Sequence, residues 1–132
     1  MTADARPAGR TYTIRQLYKE FGCTPRALRF YEDKGLLFPA REGMTRVYSE
    51  RDRVRLRLVL QGRRVGLSLA EMREILDLYD LKDGGVAQAA RTIDAFRARI
   101  RELEQRKVEI DAAIHDLTRG VEMLEKQLIG AA

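Results

Sequence analysis

The sequence has one cysteine, Cys23, and one histidine, His115, among its 132 residues. A lone thiol excludes an internal disulfide framework. It equally excludes a thiolate zinc site or a cysteine-held iron–sulfur cluster within one chain, since each needs several ligands at fixed spacing. A lone imidazole argues against a histidine-rich metal centre and against a Ser-His-Asp hydrolase. Long apolar runs are missing too: uncharged stretches such as residues 65–70 fall far short of the ~20 apolar residues that span a bilayer. The opening MTADARPAGR has no apolar h-region, so a disordered polar leader over residues 1–10 is expected rather than a signal peptide. No glycine-rich phosphate loop and no nucleophile–base pair occur. The carboxylates fall in helix caps and at i,i+4 positions such as Glu102/Arg106, where surface pairing accounts for them. The expectation is a cytoplasmic protein that is not an enzyme and holds no metal and no cofactor.

What is present is charge, unevenly placed. Residues 1–67 carry 15 Lys/Arg against 7 Asp/Glu, a balance of +8, while residues 68–132 carry 10 against 13, a balance of −3. A basic half joined to a mildly acidic one suggests that only the first half meets a polyanion. Arginine dominates that half, and its planar fork suits bidentate phosphate or base contacts. An arginine-rich coding bias is the bland alternative, because arginine also abounds in the second half.

Helix signals come in close succession. Thr13 with Gln16 reads as a capping box opening a short helix that carries Ile14, Leu17 and Phe21 and ends at Gly22. Thr24 followed by Pro25 starts a second helix that stops near Gly35. Two short helices around a tight Gly22-Cys23 turn have the grammar of a helix-turn-helix. Pro39 and Gly43 then break the helical period. Leu36, Leu37 and Phe38, and then Thr45, Arg46, Val47 and Tyr48, can form short extended segments around an Arg41-Glu42-Gly43 turn, a basic wing. Ser49 with Asp52 caps a third helix to about Arg64, whose apolar choice is Val54, Leu58 and the neighbouring Leu56, Val59 and Leu60. Ser68 with Glu71 caps a fourth, with Leu69, Met72, Ile75, Leu76 and Tyr79 on one face, before a break at Asp83-Gly84-Gly85.

From Val86 onward the period becomes seven. Ile93, Ile100, Lys107, Ile114, Val121 and Leu128 alternate with Phe96, Leu103, Ile110, Leu117 and Leu124, and ten of these eleven positions are apolar. A helix over residues 86–119 would run ~50 Å, too long for a small domain to cover such a seam. The default cover is a second copy. The expected dimerisation residues are Ile93, Phe96, Ile100, Leu103, Lys107, Ile110, Ile114 and Leu117. Lys107 either fixes register or snorkels past the seam. Gly120 is expected to end the helix, leaving residues 120–132 as a short helix or tail.

At 100° per residue, Arg26, Arg29, Phe30 and Asp33 share one face of the second helix, and Ala27, Leu28 and Tyr31 the other. An outward Arg-Arg-Phe face suits a DNA major groove. The alternative has both arginines merely solvated and Phe30 packed under the wing.

These residues carry a resemblance. TIRQLYKEFGCTPRALRFYEDKGLL, the REGMTRVYSERD wing and LVLQGRRVGLSLAEMREIL together resemble the MerR family of bacterial transcription regulators over residues 12–79. ALRFYEDKGLL, RVYS and GLSLAE are its most specific pieces. The resemblance implies a mainly α fold, with a winged helix-turn-helix DNA-binding domain over residues 11–82. A long C-terminal dimerisation helix over residues 86–119 would follow, paired as an antiparallel coiled coil. It implies a homodimer on a pseudo-palindromic promoter, bent and untwisted so that RNA polymerase engages both promoter elements, with the protein nucleoid-associated when DNA-bound. By position, Arg29 and Tyr31 would contact the DNA backbone or bases with Phe30 alongside, Arg46 and Tyr48 would hold phosphates, and Arg63 or Arg64 would do so from the start of the next unit. Many relatives have Tyr where Phe30 stands, so a hydroxyl contact is absent here.

Metal- and redox-sensing members hold their ligand with cysteines at the end of the dimerisation helix, whereas Cys23 lies in the helix-turn-helix and reads as a packed turn residue. His115, beside the seam, reads as a surface or interface residue. The texture of TPRALRFYEDKGLL and RVYSERDRVRL is similar to regulators of leucine and isovalerate catabolism, which implies an acyl-CoA-type small-molecule effector. The competing function is an architectural or excisionase-like DNA-bending protein with no effector.

Overall fold

The structure is a computed structural model that describes residues 9–79 and 81–131. Most of the expected leader therefore lies outside the described residues. The elements are β1 (Thr11–Tyr12), α1 (Ile14–Phe21), α2 (Pro25–Asp33), β2 (Ala40–Glu42), β3 (Thr45–Ser49), α3 (Glu50–Arg64), α4 (Leu69–Asp77), a 3₁₀ turn (Leu81–Asp83) and α5 (Val86–Ala131). The chain divides into two compact units, Met1–Ile93 and Asp94–Ala132.

Helix starts follow local chemistry. Each capping box forms: Thr13, Ser49 and Ser68 accept from the backbone of Gln16, Asp52 and Glu71, whose side chains accept in return from the cap N–H groups. Thr24 accepts from Ala27 N–H, with Pro25 in the first turn of α2. Gly22 takes the left-handed conformation (φ 68°) that closes α1, a backbone state in which a Cβ would be strained.

The sheet has order β1-β3-β2, all antiparallel, with Tyr12 opposite Tyr48 and Arg41 opposite Arg46. The two-residue β1 was not anticipated, because a pair of residues gives no periodicity. Nor is the wing's first strand formed by Leu36, Leu37 and Phe38. Leu36 and Leu37 are fully buried in the core, and the strand begins only after Pro39, which has no N–H to give a ladder. Their stretch is held by side chains instead. Arg55 Nε donates to Leu36 C=O at 2.8 Å, and Phe38 N–H donates to Asp52 Oδ1 at 2.9 Å.

α3 turns inward most of its expected apolar side, Leu56 and Val59 fully and Leu58 and Leu60 in part, with two charged residues added. Its buried residues are Asp52, Arg55, Leu56, Val59 and Gly62, while Val54, assigned to the core from the sequence, is exposed. The core gathers Tyr12, Leu17, Leu28, Tyr31, Leu36, Leu37, Tyr48, Leu56, Val59 and Leu76. Gly62 is where α4 approaches α3: a Cβ there would stand 2.1 Å from Met72 Sδ.

α5 is continuous for 46 residues and passes through Gly120, where an end was expected. One interior glycine costs ~1 kcal/mol against alanine, too little to stop a helix that good formers propagate on both sides.

Candidate nucleic-acid interface

α2 is oriented by Leu28 and Tyr31, which enter the core. Its opposite face leaves Arg26, Arg29, Phe30, Asp33 and Lys34 exposed. Neither Arg26 nor Arg29 makes an ion pair among the described residues. Phe30 is 43% exposed, with its ring 5.9 Å from that of Tyr31 and Lys34 Nζ 5.5 Å from its centroid. It is therefore not sealed beneath the wing. An exposed apolar ring on a helix face that also carries Arg26, Arg29 and Lys34 is a surface suited to a polyanion with flat, methyl-bearing edges.

The wing differs from the sequence expectation. Arg41 and Arg46 face each other across β2 and β3, and Glu32 of α2 bridges them. Glu32 Oε2 accepts from Arg41 Nη2 at 3.0 Å, and Oε1 from Arg46 Nε at 2.7 Å. The hydrogen bond from Arg46 to Glu32 raises the arginine's pKa. Arg46, assigned a phosphate, is thus occupied by a carboxylate of its own chain. Tyr48, given the same role, is fully buried with its hydroxyl unpartnered among the described residues, and burial pushes its phenol up to about 12. Its ring belongs to the core, since β3 turns Val47 and Tyr48 inward on its two faces. At the wing tip Met44 is 96% exposed.

Arg63 and Arg64, at the end of α3, are exposed. Arg63 Nη1 donates to Leu67 C=O at 3.3 Å. Its charge also reaches Tyr31, whose phenol is pushed up by burial and only partly drawn back by Arg63. The end of α3 is thus within electrostatic reach of α2 at Tyr31, whose ring is buried.

Other ties hold this head together without any sequence signature. Arg53 Nε donates to Glu20 at 2.9 Å and Arg53 Nη1 to Glu50 at 2.9 Å, linking α3 to α1, and Tyr12 Oη donates to Glu50 from β1. Arg55 Nη1 reaches Leu76 C=O at 3.3 Å, and burial lowers its pKa. The roles of Glu32 and Arg55, and the second bond of Asp52 to Phe38, were missed because each partner lies 9 or more residues away. Cys23 is partly buried, and burial pushes its thiol up, away from a reactive thiolate.

On α5, residues 100–119 are all exposed, including the seam positions Ile100, Leu103, Lys107, Ile110, Ile114 and Leu117, as well as His115. Ile93 is exposed and Phe96 half-buried. A seam of this kind fits a coiled coil.

The profile of the MerR HTH family regulatory proteins matches residues 12–78, and that of the MerR DNA-binding region matches residues 53–120. The chain belongs to the MerR family. As a MerR-family member it is a DNA-binding transcription regulator. It is 35% identical over 107 residues to the HTH-type transcriptional regulator HmrR of Rhizobium leguminosarum bv. viciae, covering 80% of this chain and 74% of that one. It is 30% identical over 110 residues to the HTH-type transcriptional regulator ZntR of Escherichia coli K12, covering 82% and 77%. Among solved structures it resembles the transcription regulator PbrR691 from Ralstonia metallidurans CH34, in complex with lead(II). That likeness has TM-score 0.61 and 29% identity, over 82% of this chain and 86% of that one. The MerR architecture, a winged head followed by a long helix, is the one built above. Among the described residues no helix is long and apolar enough to cross a membrane.

Proposed function

We propose that this MerR-family chain works as a homodimer, paired through α5 as an antiparallel coiled coil, on a pseudo-palindromic promoter. What carries the reading is the outward face of α2, where Arg26, Arg29 and Phe30 stand exposed, with no ion pair on the arginines among the described residues. In this arrangement α2 enters the major groove, and Arg63 and Arg64 approach the phosphates beside it. Dimer geometry spaces the two heads, and distortion of the intervening DNA lets RNA polymerase engage both promoter elements. The exposed seam supports pairing, because so long a row of apolar residues is costly to leave in water.

The effector we assign is a non-metal small molecule of the branched-chain acyl-CoA type, on the similarity of the head to regulators of acyl-CoA catabolism. The single thiol, sitting in the α1–α2 turn, supports a ligand other than a thiolate-held metal. Titrating isovaleryl-CoA and related thioesters into promoter-bound protein, with transcription as readout, tests this. A change in output at saturating thioester is expected. No change with any thioester removes the assignment, and a change with lead(II) alone would instead group the chain with PbrR691.

A further inference from the structure

The wing carries two arginines that a single carboxylate already occupies. Arg41 and Arg46 are directly opposite on β2 and β3, an arrangement that repels when nothing lies between. Glu32 supplies one oxygen to each, at 3.0 and 2.7 Å, from the last turn of the reading helix. Its side chain is 21% exposed and that of Arg46 24%, so this contact is partly shielded from water, while Arg41 is more open at 40%. A phosphodiester offers a guanidinium the same pair of anionic oxygens that this carboxylate does. Arg26 and Arg29 of α2 are in the opposite condition, since neither has a carboxylate partner among the described residues. The head thus presents uncommitted arginines on the helix and committed ones on the wing.

We infer that Glu32 is a specificity-determining residue, withholding Arg41 and Arg46 from the phosphates of non-operator DNA while tying the wing to α2. The inference rests on α2 reading DNA, as proposed above, and adds that the wing, tied to α2 through Glu32, lies beside the same duplex. A purely structural Glu32 would, on removal, loosen the head and weaken every duplex alike. A withholding Glu32 would, on removal, release two cations and favour random DNA. Counterion release separates these, because each newly contacted phosphate steepens the log Kd against log salt slope by about 0.9.

The probes are a random-sequence 30-base-pair duplex and a duplex selected by the wild-type full chain from a random library, each titrated across potassium chloride. Glu32→Gln is expected to bind the random duplex about fivefold or more tightly at low salt, with a slope steeper by about 1–2. The preference for the selected duplex should fall by at least the same factor. Glu32→Asp, which keeps the charge on a shorter stem, should retain the wild-type slope. A Glu32→Gln slope that is unchanged or shallower overturns the inference, and so does equal steepening in Glu32→Asp. If Glu32→Gln does not fold, Arg41→Gln carries the test: an unchanged random-duplex slope supports withholding, and a loss of about 0.9 overturns it. A wild-type chain that selects no duplex sinks the DNA-reading proposal itself, a result distinct from all of these.

Discussion

Residues of one type hold different states in this head, and the tyrosines show the consequence most directly. Tyr48 has its ring in the core and its hydroxyl without a partner among the described residues. Burial pushes its phenol up to about 12, against ~10 in an unfolded chain. Between those values the unfolded chain gives up its proton first and so binds fewer protons than the native one. Stability therefore holds below pH 10 and is lost as pH rises towards 12. Tyr48→Phe removes an oxygen that gains nothing, so stability at pH 7 should be unchanged or higher by ~1 kcal/mol. The alkaline decline should shrink without vanishing, because burial raises Tyr31 as well. Urea unfolding at several pH values checks this, and a loss above ~1 kcal/mol at pH 7 would mean the hydroxyl is bonded after all. Arginines divide in the same way. Nothing in a string of letters separates Arg29, open on α2, from Arg46, held by a carboxylate 14 residues away.

At the scale of elements, what the sequence made legible was local. Thr13, Ser49 and Ser68 were readable as caps because donor and acceptor lie three residues apart. The order of helices, wing and long helix followed from those caps and from the change of period at Val86. The inward face of α3 was readable at Leu56 and Val59 but not at Arg55, because hydropathy ranks Val54 above Arg55. The fold inverts that ranking: Arg55 alone can reach the carbonyls of Leu36 and Leu76. The outward α2 face was legible in the same local way, from Leu28 and Tyr31 falling on one side of the wheel. The Glu32 bridge depends on a hairpin register that only the folded chain sets.

Gly62 belongs to this scale, since it fixes how closely α3 and α4 pack. Alanine would gain helix propensity of ~1 kcal/mol yet place a Cβ against the fully buried Met72. Gly62→Ala should destabilise by a net ~1–3 kcal/mol, the usual cost of overpacking. In a Met72→Ala background, where the obstructing thioether is gone, the same change should be neutral or favourable. Equal costs in both backgrounds, measured by thermal or urea unfolding, would show that the two helices do not meet there.

Across the whole molecule, the net charge of +5 separates into a basic part that carries the α2 face and a mildly acidic part that carries the seam. The first part can meet DNA, and the second offers a row of exposed isoleucines and leucines suited to a second copy. Neither alone makes a reader of an inverted repeat, because a single head would contact one half-site with half the phosphates. DNA affinity and pairing should therefore fail together when the seam is charged.

Footprinting on the DNA upstream of the coding sequence, with wild type and the Ile100→Asp/Leu103→Asp variant side by side, tests this directly. The wild type should protect one two-fold-symmetric site, and the variant, monomeric by sedimentation, should protect none at the same concentration. Diffuse protection by the wild type, or an undiminished footprint from a variant that still sediments as a dimer, would contradict a dimeric promoter-binding regulator paired through α5.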